Sequence, residues 1–418
     1  MEPSVLEQQV GVFFDDQAID SLDELATLYN LRVSRTQQLL LETKEVHDID
    51  TRVRRMGVYL QRHNAQLKAF TQECIEQDTP LDAGDVFSHA MVAFNSQDAT
   101  WIAKLVTHYK DDPHARDGIV YALFYLPWGV ASQWVADFLR SKEMAHKWLG
   151  VKACRLRNVY PGKLIRSLIN RDDCQADVAL YEQLLLLIGQ MHDKSAASLV
   201  FNALEHDDES IKTAAYTASL MHNNKHVVSG AITHSLTTNA AFHALSPWII
   251  LGNTSAFANP YLSQVMAQTH IDYDLKIRAI GHHGDPATLA WLIKNTQADH
   301  LQPWVGLVFT QITGLDITAY SQRFPTISED SEQATYLDED NSLPFVPNAS
   351  LQKLWRNVQS QFTGGHRYFL GRSLQQKERF SLTQRHASLI IAQQAIQYYT
   401  MLTDAQATYS LTIPVGQP

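Results

Sequence analysis

Two pairs of histidines are the first residues in this chain whose spacing could do chemistry. His222 and His226 stand four apart. On one helix that spacing puts two imidazoles on the same face, the arrangement that begins a zinc site. Asn223-Asn224 lies between them and reads as a turn, so exposed turn histidines are expected instead of ligands. His282 and His283 are adjacent in a Gly-His-His-Gly-Asp-Pro run over 281–286. Adjacent side chains diverge, so no shared ligand role is expected there either. The run from Gly365 to Ser373, Gly-His-Arg-Tyr-Phe-Leu-Gly-Arg-Ser, has the outline of a phosphate loop. It departs from one twice: an extra residue separates its glycines, and Arg372 stands where the phosphate-contacting lysine belongs. One reading is an anion site built from Arg367, Arg372 and a following helix N-terminus. The preferred reading is a tight turn whose arginines pair with acids of the preceding segment. The last candidate is the cationic run Lys147, Lys152, Arg155, Arg157, Lys163, Arg166 and Arg171. On an open face it would meet an acidic partner or nucleic acid, although Glu143, Asp172 and Asp173 dilute it, and a solvated or internally paired face is the commoner outcome. No HExxH, GxSxG or CxxC occurs. No catalytic residue, metal ligand or cofactor is therefore assigned.

The elements that must position these residues are repeats. Seven helical stretches rich in small residues open near His114, His146, Gln175, Glu209, Asn239, Asp272 and Gln302. Their mean spacing of about 31 residues is that of stacked helical hairpins. One hairpin cannot bury its own apolar face, whereas a row of them makes a continuous core. The expected fold is all-α: a HEAT-like solenoid of helical hairpins closed by a C-terminal cap unit. Turns are expected at Leu126-Pro127-Trp128-Gly129, Val159-Tyr160-Pro161-Gly162, Gly189 with His192-Asp193, His222-Asn223-Asn224, and Gly281 to Pro286, since glycine and asparagine tolerate positive φ. Ala153, Ala214, Ala215, Ala218 and Ala279 allow close helix packing. Most of the tryptophans of this array (101, 128, 134, 148, 248, 291 and 304) are expected in the core. Residues 115–320 should hold almost no strand.

Four regions follow: an N-terminal helical region over 1–112, the repeats over 113–325, an acidic linker over 326–348 and a cap unit over 349–418. In the first region Leu22, Leu25, Leu28 and Leu31 make an apolar stripe. A second helix is expected from Asp48 through the Leu-Gln-Arg-His-Asn-Ala-Gln-Leu-Lys-Ala-Phe-Thr-Gln run at 60–72. The linker holds six acids, and the cap unit seven Lys or Arg against two acids. The whole chain of 418 residues is 45% hydrophobic with a formal net charge of -10. That composition excludes disorder and argues against general nucleic-acid binding, which favours a basic domain. Three cysteines without a CxxC suggest free thiols in a reducing compartment. Neither a signal peptide nor a membrane span is expected, which points to the cytoplasm.

The C-terminal residues carry a resemblance. Leu343-Pro-Phe, Leu354-Trp355, Gln361-Phe-Thr-Gly-Gly-His-Arg-Tyr-Phe-Leu-Gly371-Arg and Thr383-Gln384-Arg385 resemble the closing unit of a bacterial HEAT-repeat family encoded in type VI secretion gene clusters. Gly281 to Pro286, Phe309 to Asp316 and Glu24 to Arg32 echo the same pattern. The resemblance implies an accessory role: a cytoplasmic protein that holds an effector, a spike component or another adaptor. An immunity protein against a cognate toxin is a close variant. Nucleic-acid binding, as in HEAT-like DNA glycosylases, and an enzyme resembling HEAT-repeat bilin lyases are the other classes. The family transfers no catalytic residue. Candidate binding residues are Trp355, His366, Arg367, Tyr368, Gly371, Arg372, Gln384 and Arg385, with Lys147, Lys152, Arg155 and Arg157 as a basic patch. The favoured role of the C-terminal motif is an end cap, in which Trp355, Phe362, Tyr368 and Leu370 pack on the last repeat while the arginines fix the turns.

Overall fold

A computed structural model describes residues 5–37, 43–252, 255–322 and 343–374. Most of the expected acidic linker, and Gln384 and Arg385, lie outside the described residues. Among the described residues the fold is all-α, and the only strands are two short ones, Tyr368–Phe369 (β1) and Arg372–Ser373 (β2). None of the described helices is long and apolar enough to cross a membrane. The chain forms two compact units. The division falls after Leu187, inside the helix that opens the third repeat.

In unit 1, helices α1 (Val5–Gln37), α2 (Thr43–Leu60), α3 (Asn64–Glu76), α4 (Ala83–Ser96) and α5 (Ala99–Tyr109) precede the repeats. Leu22, Leu25 and Leu28 of α1 are buried as their spacing predicts. The expected long second helix is instead two helices. A short 3-10 turn, Gln61–His63, separates α2 from α3. His63 leaves helical backbone (φ -112°, ψ 22°), and the change of direction lets α3 bury Leu67, Thr71 and Cys74. Next come α6 (Ala115–Tyr125), α7 (Trp128–Arg140), α8 (Met144–Arg157), α9 (Gly162–Ile169), α10 (Asp172–Ala176) and α11 (Val178–Gln190). The opening helices stack in order, α4 on α6 on α8, and α7 packs on α8.

Unit 2 continues with α12 (Ala197–Asn202), α13 (Glu209–Met221), α14 (Val228–Ser235), α15 (Asn239–Gly252), α16 (Ser255–Ala267), α17 (Tyr273–His283), α18 (Ala287–Asn295) and α19 (Gln302–Thr313). Here α13, α15, α17 and α19 stack in series. The seven openings read from sequence coincide with the starts of α6, α8, α11, α13, α15, α17 and α19 to within three residues. After α19 the chain returns as α20 (Asn348–Val358) and the β1–β2 hairpin.

One local recipe makes the turns. A residue with left-handed backbone ends the opening helix, and a short acid or amide then caps the next one. Gln97 (φ 56°) is followed by Asp98, which accepts from the amides of Thr100 and Trp101. His192 (φ 51°) precedes Asp193, Asn223 (φ 57°) precedes Asn224, and Gly284 (φ 74°) precedes Asp285. Each of these caps accepts from the amide two residues on. Between repeats, Asp112, Asp177, Asp208 and Thr238 cap α6, α11, α13 and α15 in the same manner. Some expected turn residues prove to be helical. Gly281 to His283 form the last turn of α17. Gly189 lies inside α11, where a Cβ would come within 2.5 Å of the Ala218 Cα on α13. There the glycine serves close helix packing, not a turn.

Candidate functional site

The basic residues of the second repeat do not form one open basic face. The Lys147 side chain is buried and its ammonium caps the Ser141 carbonyl. Arg157 closes the end of α6: its guanidinium donates to the carbonyls of Leu123, Phe124 and Leu126 and lies over the Trp128 ring at 5.2 Å. Arg155 reaches across to Gln183 on α11. Burial pulls both Arg155 and Arg157 down to about 10. Helix ends and buried carbonyls thus take up Lys147 and Arg157, the internally paired alternative of the sequence reading.

What remains is smaller and sharper. Trp148, Lys152 and Arg155 lie at i, i+4 and i+7 of α8, one stripe of the helix. The Trp148 indole is buried. The Arg116 guanidinium of α6 lies over it at 3.9 Å, and the Lys152 ammonium at 5.6 Å. Both cations are part-buried. Arg116 and Lys152 make no hydrogen bond or ion pair with any described side chain, and Arg116 Nε is buried without a partner. Burial, and then the nearby Arg155 charge, lower the Lys152 pKa, while the charges of Asp117 and Glu182 oppose the shift. Asp117 Oδ1 is itself buried without a hydrogen-bond partner. Cations on an indole face are held by its quadrupole, by about 0.5–2 kcal/mol each. That attraction leaves their hydrogen-bonding protons unused. Sequence reasoning missed Arg116. The available signal was its separation from Trp148, close to the repeat period, which puts the two at the same place in adjacent repeats.

The C-terminal motif is placed by different forces. Trp355 is buried and lies 5.8 Å from Phe362, which meets Tyr368 edge-on at 5.0 Å. The Tyr368 hydroxyl accepts from the Thr363 amide. Arg367 donates from Nε to the His283 carbonyl at 2.7 Å and from Nη2 to that of His282 at 3.2 Å. The backbone continues the capping: the amides of Tyr368, Leu370 and Gly371 donate to Gly284, Gln311 and Ile312. The hairpin thus satisfies carbonyls that the ends of α17 and α19 would leave bare. Arg367 is committed to helix carbonyls, Arg372 is exposed, and the His366 side chain is part-buried.

This backbone-on-backbone seam needs glycine on both sides. Gly314 has φ 71°, and a Cβ there would lie 2.6 Å from the Leu370 carbonyl; Gly371 has φ 73° and faces Thr313 at the same distance. Gly314→Ala is expected to cost about 2–3 kcal/mol, from left-handed strain and loss of the seam. Gly364→Ala is the control, since nothing lies within 4 Å of its Cβ position. Urea unfolding checks the pair. A Gly314→Ala variant as stable as Gly364→Ala would refute the seam.

The histidine pairs do not make a joint site. His222 faces the Ile188 carbonyl, while His226 sits beyond the Asn223 turn in a separate 3-10 segment. The His282 ring meets the Arg278 carbonyl, and the His283 ring is fully buried. Two grooves open between closing helices. One of about 570 Å³ lies near Leu262, Met266 and Trp291, the other of about 340 Å³ near Val135 and Leu164. The three cysteines are buried and free. Comparison with family models, curated proteins and solved structures found no match to this chain.

Proposed function

We propose that this chain is a non-catalytic, cytoplasmic protein-binding scaffold, an adaptor that serves type VI secretion by holding an effector or a spike component. The binding half of this reading rests on Arg116 and Lys152, two part-buried cations on Trp148 whose side chains form no hydrogen bond or ion pair with any described acid. The secretion half rests on the sequence resemblance alone. Rows of helical hairpins favour macromolecular partners, because successive repeats present side chains at regular intervals along one surface. Nucleic acid is disfavoured by the net charge of -10 and by Asp117 and Glu182 beside the cations.

The test is an affinity pull-down of the tagged full chain from its native cells, read by mass spectrometry. A secretion effector or spike protein retained by the native chain is the expected result. A toxin encoded beside the chain would move the reading to an immunity protein. Nucleic acid retained without protein would overturn it.

A further inference from the structure

We propose that Arg116, Lys152 and Trp148 form a receptor for a single carboxylate, an aspartate or glutamate side chain presented by an acidic segment of a protein partner. The inference deepens the scaffold reading and rests on it for the partner's being a protein. The geometry itself is independent of that reading. Arg116 and Lys152 approach one indole from adjacent repeats, at 3.9 and 5.6 Å from its centre. Neither side chain donates to any described group. A part-buried cation without a hydrogen-bonded counter-ion has lost part of its hydration and leaves its donors unused, with the ring's quadrupole as its direct contact. An incoming carboxylate supplies what is missing: charge opposite to both arms, and oxygens for the guanidinium fork and the ammonium.

The surroundings narrow the ligand further. Asp117 and Glu182 both act on Lys152, so the cations sit in a field of alternating sign. A run of phosphates carries charge at every unit and would be opposed by these acids. An isolated acidic side chain with uncharged neighbours would not. The Trp148 ring is buried and already carries Arg116, which leaves it unsuited to stacking a nucleobase. Arg155 stands beside Lys152 and adds positive charge while remaining tied to Gln183.

Fluorescence anisotropy of the full chain tests the receptor, with a labelled peptide of alternating glutamate and serine as the probe. Binding is expected at low salt and should weaken as salt rises from about 50 to 200 mM, because screening reduces the attraction between the peptide's acids and the cations. Lys152→Glu should weaken it at least tenfold, and Arg116→Gln several-fold. Lys163→Glu makes the same charge change at an exposed lysine of the same repeat and should leave binding unchanged. Circular dichroism and urea midpoints establish that each variant folds. No binding by the native chain, or equal weakening by Lys163→Glu, overturns the receptor. So does tighter binding of a thymidine oligonucleotide of matched charge. If Lys152→Glu still retains the native chain's protein partners in a pull-down, the receptor falls and the scaffold reading stands.

Discussion

Asp50→Ala is expected to destabilise unit 1 by about 3–5 kcal/mol, the range for breaking a buried ion pair from one side. Asp50 and Arg32 are 0% and 1% exposed, and Arg32 Nε donates to Asp50 Oδ1 at 2.6 Å. The same oxygen accepts from the Tyr125 hydroxyl at 2.5 Å. Burial, with the neighbouring carboxylate adding to it, raises the Tyr125 pKa well above that of a free phenol, so the hydroxyl stays a donor. One carboxylate therefore ties α1, α2 and α6 together. The Arg32 guanidinium also lies near the Phe124 and Tyr125 rings, at 5.9 and 5.7 Å. Removing Asp50 leaves that guanidinium inside the core without its counter-ion. Replacing both partners by apolar residues, Arg32→Met with Asp50→Leu, should restore most of the loss, because the desolvation cost of the pair disappears with it. Urea unfolding of the two single variants and the double variant forms a cycle. A double variant no more stable than Asp50→Ala would show that packing, not charge, dominates this site.

Arg32 and Asp50 also show where a sequence stops being readable. The helix openings were legible because apolar stretches rich in small residues recur at a nearly constant spacing, a signal carried by the sequence itself. The stripe of Leu22, Leu25 and Leu28 was legible by periodicity. The partnership of Arg32 with Asp50 spans two helices and that of Asp50 with Tyr125 spans 75 positions. Nothing local announces either. The same holds for Lys147 and Arg157. Their charge left an open face and an internally paired one as alternatives, and which carbonyls a long cation near a helix end turns inward to cap is not written locally. In the C-terminal motif the end-cap role is consistent with the contacts of Trp355, Arg367 and Tyr368, while Gln384 and Arg385 lie beyond the described residues. Arg116 and Trp148 fall between these cases, hidden within one repeat and visible once two repeats are laid side by side.

Buried neutral histidines make stability fall with acid. Burial lowers His89, in unit 1, to about 4. In unit 2, burial lowers both His282 and His283 to about 4, with the charge of Arg367 adding to the shift at His283. In the unfolded chain each would titrate near 6.5. Between pH 6.5 and 4 the unfolded state therefore binds a proton that the native state refuses, so stability rises with pH across that window and falls as the solution is acidified. By this linkage His89 and His283 each remove about 2 kcal/mol by pH 5, a large share of an ordinary folding free energy. Thr71 bonds the His89 ring at 2.7 Å, whereas neither nitrogen of the fully buried His283 ring has a partner among the described residues. Protonation of His283 would set a second cation beside Arg367, against the very carbonyls that hold the hairpin. Hydrogen exchange at the amides of Tyr368, Leu370 and Gly371 should therefore accelerate below pH 6 beyond its intrinsic pH dependence. In His283→Gln the slope of unfolding free energy against pH should flatten whatever its absolute stability. An unchanged slope in that variant would place the acid sensitivity of unit 2 elsewhere.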